Sequence, residues 1–213
     1  MMIERLLIRA LKRGIAELLE QPARINVIFE CEGLTETEAQ AVRTKFEAKP
    51  PTVVHQYPRS DSPFPLFCVI LGAEQESQKM LGNFGGFEDE YLGADIGPNT
   101  LFRTSIYQYT HHVMVYTEHP DTTLYYYHLA KYFLSREADE LQDEGILDLV
   151  LSGADMGPDQ SYAPEWLFAR RLTVQTKAEQ RIFDESYGIV REVVGLHVEP
   201  AEGVETCITV TDS

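Results

Sequence analysis

Four histidines, His111, His112, His119 and His128, crowd one short stretch. They are the first residues to test for chemistry, because neutral imidazole is the commonest metal ligand. Adjacent residues on a strand point to opposite faces, so His111 and His112 cannot clasp one ion between them. His128 reads as helical, nine residues after His119, and neither an HExxH pair nor a carboxylate at helical spacing completes a ligand set. Asp155-x-x-x-Asp159 lacks the alternating oxygen ligands and the distant bidentate glutamate of a calcium loop. Glu30 and Glu32 flank Cys31 and would share one strand face, but no recognisable sugar or acyl site accompanies them as an acid/base pair. A GxSxG nucleophile elbow is absent. Gly82, Gly85 and Gly86 lack the spacing of a phosphate loop; no lysine follows, and Glu88-Asp89-Glu90 would repel an anion. Cys31, Cys68 and Cys207 are odd in number, far apart and without a CxxC pair, which predicts buried free thiols rather than disulfides or a zinc site. The sequence thus predicts no catalytic residue, no metal and no cofactor.

Charge and aromatics point instead to surfaces. The net charge of −16 opposes a general grip on nucleic acid, which needs clustered cations. Residues 1–50 carry eight Lys/Arg against eight Asp/Glu, so the remainder of the chain holds the whole excess. An acidic body behind a neutral, partly basic leading segment suits docking between unlike surfaces; simple solubility is the competing reading. Tyr107, Tyr109, Tyr116, Tyr125, Tyr126, Tyr127 and Tyr132 fall close together. Bases could stack on such rings, but residues 101–150 carry eight acids against three bases. Core packing and protein–protein contact explain the tyrosines better. The apolar content of 44% predicts a real core, and no apolar run approaches the roughly 20 residues needed to cross a bilayer. Arg5, Arg9, Lys12 and Arg13 interrupt the only region that could be a signal peptide, so a cytosolic protein is expected.

The elements that would carry these surfaces centre on Ser105–Thr176. Ile106–Thr117 alternates β-formers with polar residues and reads as a strand. Pro120 opens a helix that Asp121 or Thr122 could cap. From Thr123 to Glu144, Tyr126, Leu129, Ala130, Phe133, Leu134 and Leu141 share one face, while Arg136, Glu137, Asp139, Glu140 and Asp143 face water. Gly145 stops the helix. Ile146–Leu151 and Trp166–Thr176 read as strands around a loop, Ser152–Pro164. Upstream, Ile3–Leu19 is a helix with an apolar stripe and a cationic opposite side, ended by Pro22. Arg24–Cys31 alternates as a strand, with Ile25, Val27 and Phe29 on one face. Thr35–Ala48 is a helix with a Thr35/Glu38 capping box, and Thr52–Tyr57 a short strand. A proline-rich loop, Pro58–Pro65, leads to a buried strand, Phe67–Leu71. Gly72–Met80 reads as one helical turn or an irregular connection, and Leu81–Asn99 as a surface loop or an extended β-hairpin. Lys177–Asp184 is expected to leave the sheet. Ile189–Val198 and Thr206–Val210 are strand-like, pairing as a hairpin or adding to a sheet edge. The fold class is therefore α/β (α+β): a small mixed, largely antiparallel sheet flanked by helices, with long loops and a C-terminal β extension.

Two passages carry a resemblance. Phe64-Pro65-Leu66-Phe67-Cys68-Val69-Ile70-Leu71-Gly72-Ala73-Glu74-Gln75-Glu76-Ser77, followed by Leu81-Gly82, runs from a buried strand into a Ser/Ala-Glu-x-Glu segment and a Leu-Gly pair. Together with the passage from Val113 to Thr176, it resembles the tail-terminator and neck proteins of tailed bacteriophages, over residues 1–177. The resemblance implies a terminator-like domain at 1–177, with 178–213 as a C-terminal extension or arm. It further implies a non-enzymatic virion protein, assembled in the host cytoplasm as a ring, typically of six copies, that caps the tail tube and joins it to the neck. Its partners would be copies of itself, the tail tube, the sheath and neck proteins, with DNA passing through an acidic lumen and no membrane contact. A ring needs unlike surfaces on the two sides of each subunit. Arg5, Arg9 and Lys12 on one helix and Glu137, Asp139 and Glu140 on another are the candidate subunit interface. A second reading keeps an enzyme of unrecognised type, with a cleft between the 82–99 and 152–164 loops.

Overall fold

The computed structural model describes residues 2–55, 57, 62–84, 101–155 and 167–184. Met1–Asn83 with Thr104–Arg181 form one compact unit, and Phe84–Arg103 with Ile182–Ser213 a second. The first holds every described helix and both described apolar clusters. Of the second, only the strand ends Phe84, Leu101–Arg103 and Ile182–Asp184 are described.

Helix α1, Ile3–Glu20, forms because its apolar residues recur every three or four positions. Ile3, Leu7, Ala10, Leu11, Ile15 and Leu18 are all buried, and each buried Leu or Ile is worth about 1.5–3 kcal/mol over its exposed state. Gly14 lies on the same face, where a Cβ would run into the Phe133 ring of a later helix, α4, Pro120–Arg136.

The next segment corrects the sequence reading. Ala23–Cys31 is a helix, α2, not a strand. Only Ile25 and Phe29, four residues apart, are buried, while Val27 is 61% exposed. The β-branched run suggested a strand, but the flanks decide. Pro22 holds αR geometry at the start, a position that needs no N–H. At the end, Gly33 adopts φ +94°, its N–H donates to the Glu30 carbonyl and the Leu34 N–H donates to the Phe29 carbonyl. That is the Schellman pair of bonds, which closes helices and has no place in a strand.

Helix α3, Glu36–Ala48, starts as the sequence indicates. The Thr35 hydroxyl accepts from the Glu38 N–H, and the Thr35 N–H donates to the Glu38 carboxylate at 2.9 Å. Hydrogen bonding from Thr35 holds the Glu38 carboxyl below its ordinary range. Ala39, Val42 and Phe46 are buried. The short strand β1, Thr52–His55, then pairs parallel with the start of β2, Leu66–Phe84, from Thr52 opposite Leu66 to His55 opposite Val69. A cis Phe64–Pro65 peptide precedes β2.

Strand β2, Leu66–Phe84, does not stop at Leu71 as expected but continues straight through Gly72–Met80. At 19 residues it is roughly 60 Å long, against roughly 27 Å for α1. Strand β3, Leu101–Thr117, runs antiparallel beside it: the Ser77 hydroxyl donates to the Ile106 carbonyl, while Gly72 lies against Thr110 and His112. Helix α4 spans Pro120–Arg136. Its N-cap is His119, with no side-chain cap; Asp121 and Thr122, offered as caps, already lie within the first turn because Pro120 takes its first position. A break at Glu137 separates α4 from a short helix α5, Ala138–Asp143, and Gly145, at φ +101°, turns the chain into β4. Strands β4, Ile146–Asp155, and β5, Phe168–Asp184, pair antiparallel, with Leu149 opposite Thr176 and Leu151 opposite Val174. Lys177–Asp184 therefore stays in the sheet, contrary to expectation.

The sheet is five-stranded and mixed, in the order β1-β2-β3-β5-β4. One face carries Phe67, Val69, Val113, Val115, Leu172 and Val174 and packs with the helices into the main core. The other face carries a smaller cluster of Leu66, Cys68, Met114 and Tyr116. The strand-like segments Ile189–Val198 and Thr206–Val210 fall outside the described residues.

Candidate subunit interface

The cationic side of α1 and the acidic α4–α5 segment, offered as opposite faces of a ring subunit, meet inside one chain. Arg9 pairs with Glu144 at 2.8 Å. Arg13, one turn on, reaches Glu137 at 2.6 Å and also pairs with Glu140. Further along α1, Glu17 takes both Arg24 and Arg136. Positions 9, 13 and 17 lie on one line of α1, and 137, 140 and 144 on one line of the facing segment, so the packing of α1 on α4 brings the two rows together. Of the six candidate residues, Arg9, Glu137 and Glu140 are thus engaged within the chain. Arg5, Lys12 and Asp139 are exposed and make no ion pair among the described residues. The sequence reading passed over Glu17 and Glu144 and left Arg13 out of the site, although their helical spacing with the named residues was visible.

Glu137 also departs from its expected place in water. It is only 4% exposed, because the helix breaks there and turns its side chain back against α1. Burial pushes its carboxyl above the ordinary range, and the Arg13 guanidinium opposes that shift. The Oε2 atom lies within ion-pair distance of Arg13 but has no well-formed hydrogen bond. The exposed pair Arg9–Glu144 contributes little; Arg13 matters more, because it faces a carboxylate that water does not reach.

The sheet border supplies a second candidate surface. β1 covers β2 only through Val69, so from Ile70 onward β2 is an edge strand among the described residues. Its residues Leu66–Val69 are fully buried, whereas Leu71–Gln75 are exposed. The opposite border is β4, with Leu147 55% and Val150 48% exposed. Unpaired N–H and C=O groups along such edges are ready to pair with another strand.

His111 and His112 face opposite sides of β3. His111 is fully buried, stacked on Tyr109, with Nε2 3.4 Å from the Glu4 carboxylate. His112 lies 3.3 Å from the Thr173 hydroxyl and against the bare backbone of Gly72. His128 lies 3.5 Å from Glu32. Among the described residues no three His, Cys, Asp or Glu side chains converge as a metal site would require. Glu30 and Glu32 sit on or beside a helix rather than a strand, so the shared strand face proposed for them does not exist. Cys31 is exposed, correcting the expectation of burial, because it lies on the outer side of α2. Cys68 is buried, and desolvation pushes its thiol up to about 12. Cys207 lies outside the described residues, as do residues 85–100 and 156–166, which include most of both loops of the cleft reading. Tyr109, Tyr116 and Tyr126 are core residues, and the Tyr126 hydroxyl donates to the Lys49 carbonyl at 3.1 Å. No described helix is long and apolar enough to cross a membrane.

Compared with known proteins, the chain matches no family model and has no match among curated proteins.

Proposed function

We propose that this chain is a structural virion protein at the head-proximal end of a phage tail, where it forms a ring that terminates the tail tube and joins it to the neck. The observation that carries the proposal is a pair of long strand edges, on opposite borders of one sheet, that no described strand covers: β2 from Ile70 onward and β4. Two different borders can meet head to tail between neighbouring copies, and a head-to-tail contact closes into a ring when the rotation allows. Exposed Leu71, Leu147 and Val150 along those borders would lose water on assembly. The ion pairs of α1 with α4 and α5 build the subunit itself, which leaves Arg5, Lys12 and Asp139 as the charged residues of the original set free to meet a neighbour. The strongly acidic composition suits a channel through which DNA slides without adhering. Six copies, and contact with tail tube, sheath and neck, follow from the resemblance of the sequence to terminator and neck proteins.

Negative-stain microscopy of the purified chain, with light scattering on the same sample, tests this. Rings with a central hole and a mass several times that of one chain are expected. A monodisperse monomer at micromolar concentration, unchanged when tail-tube protein is added, would remove the proposal.

A further inference from the structure

Where the end of α3 meets the entry to β2 and the turn before α4, the surface opens into a hollow of about 310 Å³. Its walls are mainly carbon: Ala48, Phe64, Pro65 and the ring of Tyr126. The polar atoms of the wall are largely used within the protein. The Tyr126 hydroxyl donates to the Lys49 carbonyl, and the Thr117 hydroxyl lies 2.7 Å from both the His119 carbonyl and the Thr123 hydroxyl. What remains for an occupant is an apolar chamber, at the small end of the range of roughly 300–1,000 Å³ that ligand sites occupy.

The rim has a sign. Lys45 in the last turn of α3 and Lys49, the residue that ends it, both line the hollow. Lys45 makes no ion pair among the described residues, and Lys49 has only a loose contact, 3.7 Å, with an exposed Glu118. In a chain of net charge −16, two neighbouring lysines without a firm carboxylate partner are a local exception. The start of α4, where His119 makes no side-chain cap, also borders the hollow, but the end of α3 brings carbonyls there too, so the lysines rather than the backbone set the sign.

We infer that this hollow binds a small carboxylate with an unbranched or aromatic apolar tail, the tail against Phe64, Pro65 and Tyr126 and the carboxylate between Lys45 and Lys49. The chamber accepts apolar bodies in general; the lysines choose the anion. A cation of equal tail length would lose that attraction and face two like charges instead. This site is separate from both sheet borders, so it stands whether or not the chain forms a ring.

Titration calorimetry on the full-length chain with octanoate and with octylamine tests the inference. Octanoate is expected to bind at least tenfold more tightly than octylamine. The double variant Lys45→Glu/Lys49→Glu should erase or reverse that preference. Ala48→Trp should weaken octanoate at least tenfold, because Ala48 is both exposed and in the wall, so a large ring there fills the chamber without disturbing the core. Far-UV circular dichroism confirms that each variant is folded. Failure of octanoate to bind at about 10 mM, equal binding of the two amphiphiles, or binding that Ala48→Trp leaves unchanged would each overturn it.

Discussion

At Gly14 there is no room for a methyl group, because the Phe133 ring already lies where it would go. Leu71 is 42% exposed, although the preceding strand residues Leu66–Val69 are wholly buried. The two positions belong to one compact unit and to neighbouring layers, and they show what each layer is for. Between α1 and α4 the backbones approach so closely that side-chain volume is fixed at single positions. Along the outer part of β2 and along β4, the described residues leave apolar side chains and backbone hydrogen-bonding groups without cover. A chain that can pack one layer this tightly yet leaves another open has borders suited to contact with something else.

The contrast breaks most sharply at Phe133. Phe133→Ala is expected to cost about 4 kcal/mol in denaturant unfolding, as large-to-small changes in a tight core do. Gly14→Ala should cost about 2–3 kcal/mol, despite the roughly 1 kcal/mol that alanine gains over glycine in a helix. In a Phe133→Ala background, Gly14→Ala should cost measurably less, because the Cγ and Cδ1 atoms that crowd the site are gone. If the two changes add, Gly14 is not there for close approach. Arg13→Ala comes next, at about 2 kcal/mol, since it removes the direct ion pair of the buried Glu137 carboxylate and leaves only the more distant Arg136 charge. Arg9→Ala, which breaks an exposed pair, should change stability by less than about 0.5 kcal/mol. Comparable losses for the two would mean that burial of Glu137 does not set the difference.

The same contrast explains what the sequence made legible. Packed helices write their period into the chain, so α1, α3 and the apolar face of α4 could be read from Leu7, Leu11 and Leu18, from the Thr35/Glu38 box and from Leu129 and Phe133. Where packing imposes no alternation, pattern reading lost its grip. Gly72–Ser77 lacks strand-forming residues and takes its β geometry from its neighbours in the sheet, while in Lys177–Gln180 the one buried residue, Ala178, is too small to mark the alternation among polar neighbours. In α2, β-branched Ile25, Val27 and Ile28 outvoted the stronger evidence of Pro22 and Gly33 at its ends. The charged candidates were chosen on the right faces, yet sequence spacing alone cannot say whether Arg9 and Glu140 meet within a chain or between chains. Only the crossing of α1 over α4 settles Arg9, Glu137 and Glu140.

A smaller effect distinguishes the covered side of the sheet by pH. His111 is enclosed by Glu4 on α1, His55 on β1, Glu74 on β2 and Tyr109 on its own strand. Burial lowers its pKa, more than Glu4 and Glu74 raise it. A base with a depressed folded pKa holds fewer protons folded than unfolded, so it is neutral at no cost above its unfolded value. Stability is then lost as pH falls below about 6.5, with a limiting slope of about 1.4 kcal/mol per pH unit. Glu137, whose carboxyl is pushed up, acts in the opposite sense: its burden is relieved as pH falls through its folded value. The difference between wild type and His111→Gln isolates the histidine. The wild type should lose stability faster than the variant as pH falls from 7 to 5. Parallel curves would show that His111 remains able to protonate in place.

The open border should behave in reverse, with little effect on folding and a large one on association. Val150 is exposed on β4, opposite Gln175 of β5, so Val150→Lys replaces a side chain that the described core does not use. Unfolding free energy should move by less than about 0.5 kcal/mol. Lysine on an edge strand, however, is a charge that a partner strand must desolvate, and it blunts edge-to-edge pairing. Light scattering should therefore show Val150→Lys shifted to smaller species than wild type at equal concentration. Gln75→Lys on the opposite border should do the same, because a head-to-tail contact fails when either of its two unlike surfaces is spoiled. Loss of assembly from only one of the two substitutions would point to an isologous contact through that border. An unchanged oligomer from both would mean that copies meet elsewhere, with Arg5, Lys12 and Asp139 the next residues to test.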